Sequence, residues 1–223
     1  MTLRTTASVL VGWKPPENGW SKINVDGSVL QASSSGACSG IIRDSNGLVL
    51  AGFMMNIGKV TITEAELWAI YMGLKIGIDM GFNKIKVESD STCAVRLIQN
   101  SSTSFHGSTT LIRAIKELQT KPGEFEIDHI HREANFSADE LAKHAHSLLV
   151  GLHQFVALPP FITHTLDADR KDMKFARFAV FKNLNCLHPL SISDNGKISI
   201  SAGTMASNIE QNYVHEENNL TVR

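Results

Sequence analysis

Between Trp13 and Ser147 the spacing of apolar residues changes in a fixed order, and that order restricts the fold more than any other feature of the 223-residue chain. Ser21–Ser28 (SKINVDGS) alternates with period two, so Ile23 and Val25 face one way while Lys22, Asn24 and Asp26 face the other. Gly36–Arg43 and Leu48–Met54 flank the turn cluster Asp44-Ser45-Asn46-Gly47, which predicts an antiparallel pair. The period then lengthens: Leu67, Ile70, Tyr71, Leu74 and Ile78 recur at helical spacing behind Thr61 and Thr63, each three residues before a glutamate, and Gly81 closes the helix. Lys84–Ser89 predicts a short strand. A helix from Asp90-Ser91 to about Gln99 follows it, and a second helix lies within Phe105–Leu118. Pro122-Gly123 ends that helix; Glu124–His131 alternates again, and Asn135 caps a last helix to about Ser147. Three meandering strands followed by crossover units imply a mixed sheet with helices packed on it.

The remaining residues are poorer in pattern. Residues 1–12 read as an N-terminal tail and 148–223 as a weakly structured or disordered extension, an appendage without activity of its own or a small partner-binding element. Within the extension, Asp167–Asn183 has helical character, Pro189–Gly203 suits a hairpin around Asn195-Gly196, and the polar Met205–Arg223 suits no fixed structure.

Composition excludes several classes. Hydrophobic residues make up 43% and charged residues 19%, which rules out wholesale disorder. No run approaches the ~20 apolar residues of a membrane span. Cys38, Cys93 and Cys186 are far apart without a C-x-x-C, so neither a disulfide scaffold nor a zinc ribbon fits, and a reducing compartment does. The first twelve residues lack a secretory signal and carry, in Arg4 and several Thr and Ser, only a faint organellar one. The expected location is intracellular: nucleus, cytoplasm or organelle. Residues 13–147 hold 13 Lys/Arg against 15 Asp/Glu, so no basic field collects nucleic acid, yet cations on four of those acids would reverse the sign.

Four acids fall where strands meet helices: Asp26, Glu66, Asp90 and Asp139. Each has a plain structural explanation. Asp26 could end a strand in a turn, Glu66 could close a capping box with Thr63, Asp90 could be an N-cap, and Asp139 could answer the helix dipole. Together they could also converge, provided the first and fourth strands are neighbours. Four like charges in one place are costly unless hard cations lie between them, and carboxylates are the ligands that Mg²⁺ or Mn²⁺ prefer.

The blocks Lys22-Ile23-Asn24-Val25-Asp26-Gly27-Ser28, Gly40-Ile41-Ile42-Arg43-Asp44-Ser45-Asn46-Gly47, Glu64-Ala65-Glu66-Leu67-Trp68-Ala69, Val87-Glu88-Ser89-Asp90-Ser91 and Arg132–Lys143, in register behind Trp13-Lys14-Pro15-Pro16, resemble the type 1 ribonuclease H family. The resemblance is to its plant branch, found in non-LTR retrotransposons and domesticated genes. It covers about residues 13–147 and implies a ribonuclease H-like α/β fold, with three antiparallel then two parallel strands in a five-stranded mixed sheet. It further implies that Asp26, Glu66, Asp90 and Asp139 are the metal-binding carboxylates of an endonuclease. Such an enzyme cuts the RNA strand of RNA–DNA hybrids and leaves a 3′-hydroxyl and a 5′-phosphate. By that analogy Asp26 bridges two Mg²⁺ ions, with Mn²⁺ a possible substitute. Asp139 helps hold the ion on the side of the attacking water, and Glu66 and Asp90 the ion at the leaving oxygen. Asn24, Ser28 and Asn135 become candidate contacts to sugar or phosphate, and the expected partner is an RNA–DNA hybrid met by a monomer.

The sequence departs from bacterial relatives in two places. The loop histidine that assists those enzymes has two counterparts here, His129 and His131, and either could be an ordinary strand-end residue. The basic handle is reduced to Arg113, Lys116 and Lys121, so hybrid affinity should be modest and salt-sensitive. Trp68 and Tyr71 read as core. Two other functions stand beside hybrid cleavage: an inactive, retrotransposon-derived binding or interaction module, and a polynucleotidyl transferase or 3′–5′ exonuclease on a similar fold. The helix Glu66 and the Ala138–Ala142 block suit the last poorly.

Overall fold

The computed structural model describes residues 4–100, 108–182, 190–192 and 198–200, with side-chain surroundings for 9–100 and 108–176. Its strands and helices are, in chain order, β1 (Arg4–Val11), β2 (Ser21–Leu30), β3 (Ser35–Arg43), β4 (Val49–Lys59), α1 (Ile62–Asp79), β5 (Lys84–Ser89), α2 (Thr92–Gln99) and α3 (Thr109–Gln119). There follow β6 (Glu124–His129), α4 (Phe136–Ala145), β7 (Gly151–Phe155), α5 (Thr163–Arg170), β8 (Phe175–Lys182), β9 (Leu190–Ile192) and β10 (Ile198–Ile200).

The central sheet has the order β6-β5-β2-β3-β4-β7. β2, β3 and β4 form the expected antiparallel meander, and β5 and β6 add in parallel beside β2. To these five strands the structure adds a sixth: β7, from the segment read as an extension, pairs antiparallel with β4 from Gly52↔Phe155 to Met55↔Leu152. The register Val25↔Ser89 sets the end of β5 against the middle of β2, so Asp26, within β2, and Asp90, just past β5, lie next to each other.

Both faces of the sheet are covered. On one, Ile23, Val25 and Phe53 pack against Leu67, Ile70 and Leu74 of α1, with α2 and α3 closing the edge. On the other, Ala37, Ile41 and Met54 pack against Leu141 and Ala145 of α4 and against Ile162 and Leu166, which lie beyond residue 148. Capping follows local chemistry. Thr61, not Thr63, caps α1 in a reciprocal box with Glu64, and this releases Glu66 from any capping role. Gly81, at φ +84°, ends α1 in a Schellman pair, Phe82 N–H to Gly77 O and Gly81 N–H to Ile78 O. Ser91, not Asp90, caps α2. Trp68 and Tyr71 meet edge to face at 5.6 Å against the core.

The chain divides into two units, Val11–Ala176, and Met1–Leu10 together with Arg177–Arg223. The tail read over 1–12 contains β1, which forms a two-stranded sheet with β8. The helix read over 167–183 is instead α5, which ends at Arg170, and then β8, whose Phe-rich run is strand-forming. β9 and β10 pair as the expected hairpin, Ile198 opposite Ile192. Its turn and the segment Met205–Arg223 lie outside the described residues. No helix among the described residues is long and apolar enough to cross a membrane.

Candidate metal centre

Asp26, Glu66 and Asp90 each offer an oxygen within 4.8 Å of the other two. Three different elements deliver them. Asp26 stands on β2 and is 4% exposed; Glu66 projects from the first turns of α1; Asp90 leaves the end of β5. Glycine makes the approach of α1 to β2 possible. A Cβ on Gly27 would sit 2.4 Å from the Glu66 nitrogen and 2.6 Å from the Ala65 carbonyl carbon. In return the Gly27 N–H donates to Glu66 Oε2 at 3.2 Å and fixes that carboxylate over the strand.

Burial and mutual repulsion dominate the electrostatics. Asp26 is held well above the usual carboxylate range, first by burial and then by the charges of Glu66, Asp90 and Asp139. Burial, then Asp90, pushes Glu66 up to about 8, against the pull of the Gly27 N–H. Asp90 is also raised by burial, although the proton on Asp26 and the nearby Arg132 oppose this. Three oxygen donors at this separation, unable to ionise together without compensation, fit a hard divalent cation.

Asp139 arrives on the first turn of α4, close enough for its charge to act on Asp26, Glu66 and Asp90, but its oxygens are engaged. Lys143 Nζ lies 2.5 Å from Oδ2 and Arg132 Nη2 3.2 Å from Oδ1. The fourth acid thus flanks the trio as a salt-bridged group. Arg132, which the sequence reading passed over, is an exposed cation whose charge reaches Glu66 and Asp90 as well as Asp139.

The other candidates separate. Asn24 is completely buried, and this corrects its reading as a nucleic-acid contact. Its Oδ1 accepts from Trp13 Nε1 at 2.8 Å and Arg43 Nη2 at 2.7 Å, and its Nδ2 donates to Glu88 Oε2 at 3.1 Å. Asn135 is likewise buried, and its side chain does not cap α4; Nδ2 donates to the Val25 carbonyl at 2.9 Å and ties α4 to β2 beside Asp26. A reach to a 2′-hydroxyl is therefore withdrawn for Asn135. Ser28 remains half-buried two residues beyond Asp26, with its hydroxyl 3.1 Å from His146 Nε2. His146, also missed in the sequence, is two turns along α4 from Asp139, and burial holds its imidazole below the usual range. His129 and His131 are exposed and meet edge to face at 5.9 Å; His129 ends β6 opposite Ser89.

A mixed sheet of this order, with carboxylates from β2, from the end of β5 and from α1 gathered on it, defines a ribonuclease H-like protein. Residues 24–145 match the family described as Reverse transcriptase-like, and the chain belongs to it. An Arabidopsis thaliana protein named “Putative ribonuclease H protein” is 32% identical over 160 residues, 72% of this chain. The chain spans about a quarter of that relative, 26% of its length. Among solved structures, the N-terminal RNase H domain of a Mycobacterium tuberculosis protein superposes with a TM-score of 0.54 at 22% identity, covering 57% of this chain and 94% of that one. LC11-RNase H1, isolated from compost by a metagenomic approach and solved with an RNA/DNA hybrid, gives 0.52 at 24% identity, with 57% and 96% covered. These likenesses carry the fold.

Proposed function

We propose that the chain is a type 1 ribonuclease H that cleaves the RNA strand of RNA–DNA hybrids with the help of divalent cations, Mg²⁺ or Mn²⁺, held by Asp26, Glu66 and Asp90. One observation carries this reading: three separate segments bring three carboxylates, two buried and one half-buried, within 4.8 Å of one another against their own repulsion. The named relative and the hybrid-bound neighbour support it.

Bound there, a divalent cation supplies charge for the phosphate oxygens and acidifies an attacking water. The chain's own residues set the stage. Asp26 and Glu66 would give up the protons that burial and repulsion favour, and the Gly27 N–H keeps Glu66 aimed inward. Asp139 would be available as a fourth ligand only if freed from Lys143 and Arg132, two cations that could then meet incoming phosphates. The half-buried hydroxyl of Ser28, within hydrogen-bond distance of His146, stays the candidate for a sugar or phosphate contact. His129 and His131, exposed beyond β5, keep their candidacy for proton transfer at the leaving group.

The test is a hybrid with end-labelled RNA given to the full chain in Mg²⁺. Cleavage with 5′-phosphate products, lost in Asp26→Asn, is the expected result; an intact hybrid, or cleavage that Asp26→Asn leaves unchanged, would sink the reading. A second reading, a module that binds hybrid without cutting it, is favoured by the two cations that already occupy Asp139. It predicts a stable complex and uncut RNA under the same conditions.

A further inference from the structure

We infer that Asp169, on α5 in the segment that sequence pattern leaves outside the domain, is a positioning residue for the carboxylate centre. The inference rests on reading Asp26, Glu66 and Asp90 as a cation site. Its basis is a buried polar network whose members stand two residues before three of the four acids: Asn24 before Asp26, Glu88 before Asp90 and Ser137 before Asp139. In a strand, residues two apart share a face about 7 Å from each other, so fixing Asn24 and Glu88 fixes the backbone that carries the acids. Ser137 and Asp139 share the first turn of α4.

Asp169 joins these pieces. Its Oδ2 accepts from Arg43 Nη1 at 2.6 Å and from Ser137 Oγ at 3.2 Å. Arg43, 2% exposed, passes the connection on, with Nη2 donating to Asn24 Oδ1 at 2.7 Å while its guanidinium stacks 3.8 Å over the Trp13 ring. Asn24 donates to Glu88 Oε2, and Glu88 Oε1 pairs with Lys22 Nζ at 2.6 Å. Lys22 in turn donates to the Lys14 carbonyl at 2.8 Å. Two cations and two anions balance inside the protein, and the links through Asn24, Glu88 and Ser137 reach the segments that carry Asp26, Asp90 and Asp139.

A buried ion pair is a poor device for stability, since apolar packing of similar volume does as well or better. It is a good device for register, because it tolerates few arrangements. The apolar side of α5 already has its own anchor in Leu166, 3% exposed among Ile41, Met54 and Leu141. Packing and positioning therefore reside in different side chains of one short helix, and substitution can separate them.

The full chain would be prepared as wild type, Asp169→Asn, Leu166→Ala and Ser137→Ala. Amide shifts are read in the metal-free proteins, and Mn²⁺ uptake is read by calorimetry. Both α5 variants should lower the melting temperature. Only Asp169→Asn should shift the amides of Asp26, Asp90 and Asp139 together, and it should raise the Mn²⁺ concentration for half-saturation about ten-fold, the low end for groups that orient metal ligands. Ser137→Ala, which spares the ion pair, should shift Asp139 alone; if Asp169→Asn does not fold, this variant decides. Shifts confined to the neighbours of Asp169 with unchanged Mn²⁺ uptake, equal shifts in Leu166→Ala, or a motionless Asp139 in Ser137→Ala would each overturn the assignment. Should the wild type take up no Mn²⁺, the cation reading fails, while the amide shifts still decide whether Asp169 positions the acids.

Discussion

Glu66 shows how the fold spends stability on a site. Its carboxyl, at 4.5 in an unexceptional setting, is pushed up to about 8 by burial and by Asp90, so the folded chain holds a proton that the unfolded chain releases. Stability therefore falls as pH rises from about 4.5 to about 8, because across that window the folded state binds more protons. Asp26 and Asp90, also raised, add to the same slope, while His146, lowered by burial, opposes it where a free imidazole titrates. The melting temperature of metal-free protein should drop between pH 5 and pH 8, less steeply in Glu66→Gln, and Mg²⁺ should restore it at pH 8. A wild-type slope that Glu66→Gln leaves unchanged would contradict this. At this scale the sequence was informative about which acids come together, three of the four named, and poor about their partners. Asp26 was legible on the polar face of its strand, and Glu66 and Asp90 near the starts of helices. That Asn24 and Asn135 turn inward was not, because period-two alternation marks a polar face without saying what covers it.

Elements meet at the centre only as closely as their backbones allow, and Gly27 sets that limit between β2 and α1. In Gly27→Ala the new methyl meets helix backbone, which cannot step aside alone, so α1 must withdraw. The cost should be that of overpacking, about 1–3 kcal/mol, or roughly 3–10 °C in melting temperature for a unit of this size. Glu66 would retreat with the helix, so thermal unfolding should show the drop and calorimetry a weaker uptake of Mn²⁺. An alanine variant as stable as the wild type would mean that β2 and α1 are less tightly apposed. Element order and type were legible because periods of two and 3.6 are unambiguous over long runs. Short segments were not: the five residues of β7 and the eight of α5 are too few to display a period, and only their partners, β4 and Arg43, make sense of them.

For the whole molecule, the boundary read near residue 148 is the largest revision. Pattern stops there, but the unit continues to Ala176. Ending the chain at residue 147 would remove Ile162 and Leu166 from the α4 face and leave Arg43, 2% exposed, without Asp169. Removing one partner of a buried pair costs about 3–5 kcal/mol, and each lost aliphatic side chain about 1.5–3 more. Set against a total of about 5–15 kcal/mol, that is enough to unfold a domain of ordinary stability. A 1–147 fragment should be unfolded or aggregated by circular dichroism and gel filtration, and a 1–176 fragment folded. A cooperative melt of 1–147 matching that of the full chain would contradict this account of the boundary.

The central claim is that mutual repulsion among Asp26, Glu66 and Asp90 exists to be relieved by a divalent ion. Calorimetric titration of Mn²⁺ into the full, metal-free chain at pH 8 tests it most directly. Saturable uptake that disappears in Asp26→Asn is the predicted outcome; no heat from the wild type, or equal uptake by the variant, would contradict it.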